Sequence, residues 1–370
     1  MPPHESPLPL DRALHPCRWP GFFRLYPLRQ LFWAVVVVCV APAMLAQEAT
    51  HQARGFLHRG QAALEAGDFE RATQSFEQAR QLAPDDIQAA RGLVLSYLQD
   101  GRVAQALAIG HNAVEHWPQD AQLHHWLGLA FFKNGQNTEA AAELTRAQQL
   151  DGRSFDIHFD LALVLLAEKQ NSPAADELQK AIKLKSSSAL AHVLLGRAYQ
   201  NTNRTVEAVQ QFQSALQIDR NIPLGHYHLG FAFASLGKNH EAIAEYQKEL
   251  VRSPENPDVL FQIGHTQLEI GDWKSAVLNL RRTTEVSAQN ADAFYDLGKG
   301  LLLQGDFAQG VAALRQAVTL SPSDPSPHYQ LARAFEKMGD KQQAGEEWQR
   351  FAEAKKSQRE SGGMATGRVH

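Results

Sequence analysis

Apolar and polar positions recur along this chain with a period of 34 residues, without insertion, from Ala53 to Gln358. Counted from Ala53 as position 1, one set of recurring core positions is 4, 7 and 11, and a second is 20, 24 and 27. Steps of three and four residues put each set on one face of a helix. Position 7 is Leu or Ile in eight copies, from Leu93 to Leu331, and only the first copy departs from this, with Arg59. Each unit therefore predicts a helix A, a turn and an antiparallel helix B. One such pair cannot bury its apolar face alone, so the copies must stack on one another.

The smallest residues sharpen this reading. Position 8 is Gly in six copies: Gly60, Gly128, Gly196, Gly230, Gly264 and Gly298. Gly inside a helix costs about 1 kcal/mol relative to Ala, so close approach of a facing helix must offset it. Position 20 is Ala in eight copies, from Ala72 to Ala344, and Gly310 in the other, so positions 8 and 20 are expected to face each other. Position 15 is Gly in seven copies, between the two helical faces, where a left-handed C-cap ends helix A. Asn203 suits that conformation, and Lys169 suits it less well. Pro84, Pro118, Pro254 and Pro322 at position 32 close helix B.

Leu-Gly at positions 7–8, an aromatic or aliphatic at 11, Ala at 20, Phe, Tyr or Leu at 24, Ala at 27 and Pro at 32 together resemble the tetratricopeptide repeat. Gly60, Ala72, Phe76, Ala79 and Pro84 carry most of these marks in the first copy. Residues 53–358 then make nine repeats. The family's Trp at position 4 is missing, and five repeats have His there: His124, His158, His192, His226 and His328. The resemblance implies an all-α, right-handed superhelical solenoid of antiparallel helix pairs. Helix A of each repeat would line a concave face that grips a peptide or protein partner.

The ends have their own character. Arg12, Arg18, Arg24 and Arg29 precede a short apolar run from Leu31 that includes four consecutive Val, and Ala41-Pro42-Ala43-Met44-Leu45-Ala46 follows. A positive lead, an apolar run and small residues read as a secretory signal peptide over residues 1–46. The alternative is an uncleaved membrane anchor formed by residues 31–46. The chain is therefore expected to be exported, periplasmic or secreted, and to touch a membrane only through that segment. Residues 47–52 read as a short linker, and 359–370, with Gly362-Gly363, as a disordered tail. Helix B of the ninth repeat is rich in charge and is expected to cap the array, although Phe351 there has no successor repeat to cover it. Repeats 4 and 5 lack the closing Pro, so the junctions among repeats 4, 5 and 6 are expected to be the softest.

Composition narrows the chemistry. Of the 370 residues 44% are hydrophobic, enough for a buried core, and the formal net charge is −4, which does not suggest a nucleic-acid binder. Both cysteines, Cys17 and Cys39, lie in the leader, so no thiol chemistry is expected beyond it. Equivalent side chains of stacked repeats lie about a helix-pair spacing apart, too far for nitrogens that must each sit about 2 Å from one ion. The position-4 histidines therefore read first as partly buried packing, and only second as a pH-responsive ladder. His111 and His116, five residues apart, point about 140° apart around a helix and do not form a zinc pair. No phosphate loop or nucleophile elbow is present, and neither enzyme activity nor a cofactor is expected. Glu249 occupies a usual Ala site, and a buried lone carboxylate is costly, so it is expected to tilt to solvent or to be paired.

Candidate binding residues lie on helix A. Position 5 supplies Phe159, Tyr227, Phe261, Tyr295 and Tyr329, and position 9 adds Leu163 and Phe231. Aromatic side chains concentrate at binding hot spots, although rings at position 5 could equally pack between neighbouring A helices. Basic residues on this face look scattered, at Arg197, Lys299 and Arg333. The expected role is a non-catalytic protein–protein interaction scaffold. The alternatives are a groove for a small molecule or glycan, or an assembly factor of an envelope complex.

Overall fold

The structure is a computed structural model that describes residues 28–366, with the backbone alone described for 28–46 and 361–366. Among the described residues there are eighteen α-helices and no strand. The first repeat is formed by the end of α1 (Leu28–Glu65) and by α2 (Phe69–Leu82). The A and B helices of repeats 2–5 follow as α3 (Ile87–Gln99) and α4 (Val103–His116), α5 (Ala121–Lys133) and α6 (Asn137–Leu150), α7 (Phe155–Ala167) and α8 (Asn171–Leu184), and α9 (Ala189–Asn201) and α10 (Thr205–Ile218). Repeats 6–9 are α11 (Gly225–Ser235) and α12 (Asn239–Arg252), α13 (Pro257–Glu269) and α14 (Trp273–Val286), α15 (Ala291–Gln304) and α16 (Phe307–Leu320), and α17 (Pro325–Met338) and α18 (Lys341–Thr366). The chain divides into two units, one up to Ser96 and one from Tyr97 onward. Inside the second unit each B helix packs on the A helix that follows it, and neighbouring A helices touch, as α13 touches α15 and α15 touches α17.

Two kinds of glycine hold the repeats in register for different reasons. At position 15 the backbone is left-handed, with φ from 72° at Gly237 to 84° at Gly305. Lys169 and Asn203 adopt the same conformation at 59° and 60°, so the turn imposes its geometry even where the residue resists it. At position 8 the reason is space. A Cβ on Gly230 would lie 2.7 Å from the Tyr246 ring and 3.1 Å from the carbonyl oxygen of Ala242. Gly264 and Gly298 meet Leu280 and Leu314 in the same way, each at 2.6 Å. The neighbour of position 8 is thus the large side chain at position 24 and the backbone of position 20, rather than the small side chain at 20.

Helix A begins on a side-chain cap that the apolar pattern does not reveal. Asp120, Ser154, Ser188, Asn256, Asn290 and Asp324, all at position 34, accept from backbone N–H groups of the first turn. Ser188 caps α9 normally, so the junction between repeats 4 and 5 is regular. The next junction is not. Ile222 stands where a capping residue would be and is buried instead, and Leu224 enters α11 in the left-handed region at φ 59°. Of the two junctions among repeats 4, 5 and 6, the one between 5 and 6 is irregular in its backbone.

Three expectations about the ends need correction or lie beyond reach. Residues 47–52, read as a linker, are helical and continuous with the first repeat in α1. Residues 359–366, read as part of a disordered tail, continue α18, and 367–370 lie outside the described residues. The leader reading falls on residues 1–27, which lie outside the described residues, and on 28–46, whose backbone is helical. Among the described residues no helix is long and apolar enough to cross a membrane.

Glu249 also departs from expectation. It is 3% exposed, and its Oε2 has no hydrogen-bond partner, so it neither tilts to solvent nor pairs.

Candidate partner-binding face

The A helices of the second unit carry every candidate side chain, each fixed by the core beneath it. Phe159 stacks on Phe155 with ring centroids 5.4 Å apart and packs, with Leu163, on the core around Leu195 and Phe212. Tyr227 leans on Tyr246 at 6.0 Å, and Phe261 stacks on His265 at 5.8 Å. Tyr295 packs against the core cluster that includes Val311 and Leu331. Tyr329 meets Trp348 edge-on at 5.5 Å and Phe351 at 5.7 Å. These residues are half-buried, whereas Phe231 is 40% exposed. The position-5 rings therefore pack and remain partly accessible at once. Phe351, expected to lack cover at the end of the array, is half-buried in this last aromatic cluster.

Charge on the same face is set by histidines whose pairing the repeat pattern hides. His125 Nε2 lies 2.7 Å from Asp160 Oδ2 in the next repeat, and His265 Nδ1 lies 2.7 Å from Asp296 Oδ2, again one repeat on. The hydrogen bond to Asp296 favours the charged imidazole and raises the pKa of His265. His228 is the opposite case. Its ring stacks on Phe212 at 5.5 Å, and burial, helped by the Arg197 charge, lowers its pKa to about 4.

The basic side chains are less scattered than the sequence suggests. Lys299, Arg333 and Lys337 line one crevice of about 350 Å³ between α15 and α17, over Leu302, Phe307 and Ala334. Tyr329 also lines it and accepts a hydrogen bond from Arg333 Nη1 at 3.0 Å. Lys337 and Phe307 were not singled out from the sequence. The available signal was that Lys299 and Arg333 share position 9 in adjacent repeats, with Lys337 one turn beyond.

The position-4 histidines form the most regular polar feature. His124, His158, His226 and His328 each place Nδ1 2.5–2.6 Å from the carboxylate at position 23 of the same repeat, namely Glu143, Glu177, Glu245 and Glu347. His192 meets Gln211 there at 2.8 Å. In repeats 3–5 the other ring nitrogen faces the position-32 carbonyl of the preceding repeat, from Pro118, Gly152 and Ser186. The sequence does carry the signal: the repeats with His at 4 are the repeats with Glu or Gln at 23. His111 instead packs edge-on against Phe131 at 5.2 Å. Among the described residues no three His, Cys, Asp or Glu side chains converge as a metal site would require.

Comparison with protein families matches the tetratricopeptide repeat over residues 63–130, over 111–155, 159–223 and 261–325, and over 328–354. A search of curated proteins gave no match. Among solved structures, a chain of the APC/C hetero-tetramer Cut9–Hcn1 is 16% identical with a TM-score of 0.50, over 72% of this chain and 52% of that one. This protein thus spans about half the length of that relative. The pilF protein of Pseudomonas aeruginosa is 22% identical with a TM-score of 0.50, over 58% of this chain and 97% of its own. YrrB, a TPR protein described with an unusual peptide-binding site, is 22% identical with a TM-score of 0.45, over 51% of this chain and 98% of its own. The repeat period, the helix pairs and the family matches over more than half of the chain agree that it belongs to the tetratricopeptide-repeat family, whose members are protein–protein interaction scaffolds.

Proposed function

We propose that the chain is an exported, non-catalytic scaffold that holds an extended or helical segment of a partner protein on its A-helix face. The observation that carries this reading is the row of rings at position 5. Phe159, Tyr227, Phe261, Tyr295 and Tyr329 are each braced by packing yet partly accessible. Rings held in advance lose little freedom when a partner covers them, which favours binding. Leu163 and the exposed Phe231 extend the apolar surface between repeats 4 and 6. Export rests on the basic lead, the apolar run and the small residues of segment 1–46.

The test is affinity capture from an envelope fraction by the full chain, beside two variants. One changes Tyr227, Phe261, Tyr295 and Tyr329 to Ala, with circular dichroism to confirm the fold. The other is Phe231→Ala alone, which removes an exposed ring without opening the core. A partner held by the parent and lost by both folded variants supports the reading. Capture unchanged in both removes the A-helix face from consideration.

A further inference from the structure

We propose that the crevice between α15 and α17 is an anion-binding subsite for an acidic partner segment, one in which an apolar side chain is flanked by carboxylates. This inference rests on the reading above and names the partner chemistry of one part of that face.

Lys299, Arg333 and Lys337 converge on about 350 Å³ of space, and no acidic residue lines it. None of the three lies within 4.0 Å of a carboxylate among the described residues. Three carboxylates close in sequence to these residues are engaged elsewhere. Asp296 holds His265, Glu336 accepts from Trp348 Nε1 at 2.9 Å, and Asp306 accepts from the backbone of Gln309. Three cations without a carboxylate partner stand together here, in a chain whose formal net charge is −4. Like charges brought together cost free energy, and a ligand carrying two or more negative charges relieves that cost.

The wall chemistry specifies the rest of the ligand. Leu302, Phe307 and Ala334 offer an apolar floor, so the ligand should bring an aliphatic side chain between its charges. Tyr329 and Arg333 fix each other through their 3.0 Å hydrogen bond, which presents the guanidinium in a set direction. Tyr and Arg are the residue types that dominate binding energy at interfaces.

A second crevice serves as an internal contrast. It is larger, about 750 Å³, and is lined by Arg220, His226 and Lys248, but Glu245 lies among them. That carboxylate accepts from both Lys248 and His226 at 2.6 Å, so much of the positive charge is already answered within the protein. Of these two crevices, the one between α15 and α17 leaves its cations to an outside ligand.

The experiment uses the full chain and a fluorescein-labelled peptide of alternating glutamate and leucine, with a glutamine–leucine peptide as control. Anisotropy should show saturable binding of the acidic peptide alone. Binding should weaken about tenfold or more in a Lys299→Glu, Arg333→Glu, Lys337→Glu variant, and should also weaken steeply as salt is raised past the point where the screening length falls below about 10 Å. An Arg220→Glu variant, altered in the second crevice, should keep it. Equal binding of the two peptides, or binding indifferent to the charge reversals, overturns the subsite while leaving the scaffold reading to the capture test. Equally tight binding of a single-stranded oligonucleotide also overturns it, because the site would then read charge alone.

Discussion

His158 Nδ1 lies 2.5 Å from Glu177 Oε2, and its Nε2 lies 3.1 Å from the carbonyl oxygen of Gly152. One imidazole thereby ties three pieces of chain together: helix A of its own repeat, helix B of that repeat, and the end of the repeat before. His158 is 2% exposed, so these bonds are made away from water. Repeats 7 and 8 fill the same places with Leu260 and Asn279, and with Phe294 and Ala313. The stacking does not require the pair, but a half-removed pair leaves a buried polar group without its partner.

His158→Ala and Glu177→Ala should therefore each lower the unfolding free energy by about 2–3 kcal/mol, because each leaves its partner stranded. The combined His158→Ala, Glu177→Ala change removes both polar partners and should cost clearly less than the sum of the two. A double-mutant cycle by urea denaturation measures this, and strict additivity would show that the pair is not coupled.

Acid stability should carry the mark of His228. Its folded pKa of about 4 lies below the ordinary 6.5, so between those values the unfolded chain binds the extra proton. Stability should fall as pH drops from about 6.5 to 4, by up to about 3 kcal/mol from this group. His228→Phe should flatten that limb. His265 works in the opposite sense: its pKa is raised by Asp296, so its contribution is complete below its unfolded pKa and is lost as pH rises through the folded value. His265→Asn should lower stability more at pH 5 than at pH 8. Urea midpoints across pH would check both.

Leu224→Gly should stabilise the protein by about 1 kcal/mol, because Leu224 sits at φ 59° and a residue without Cβ carries no such strain. The Leu224 side chain is 40% exposed, so little packing is lost. A lowered thermal midpoint would mean that its contacts outweigh the strain.

Tyr246 and Gly230 should respond in opposite directions. The Tyr246 hydroxyl is buried without a partner, and burial raises its pKa, so Tyr246→Phe should be neutral or stabilising by about 1 kcal/mol. Gly230→Ala drives a Cβ into that same ring and the Ala242 carbonyl and should cost about 1–3 kcal/mol. Glu249→Ala removes a buried carboxylate with an unpartnered oxygen and restores the small residue common at position 27, so it should also raise stability. Thermal unfolding of the three variants would test this set.

The sequence by itself determined the repeat unit, the two helices in it, the turn glycines and the family, because each copy repeats the same local demands on backbone and burial. A left-handed turn favours Gly at position 15, and a core face favours Leu or Ile at position 7, whatever the neighbours are. The sequence also held, in plain residue types, the match between His at position 4 and Glu or Gln at 23, but helical spacing alone does not relate residues 19 apart. Tertiary structure decided that pairing, because only the packing of helix B against helix A brings Glu177 to His158. It decided as well that the large side chain at position 24 covers the position-8 glycine, that the irregular junction lies at Ile222–Leu224, and that Glu249 stays buried. Most of all, it decided that Lys299, Arg333 and Lys337 share one crevice. They stand on two helices separated in sequence by the whole of α16, and the distance between their charges is set by how one repeat stacks on the next.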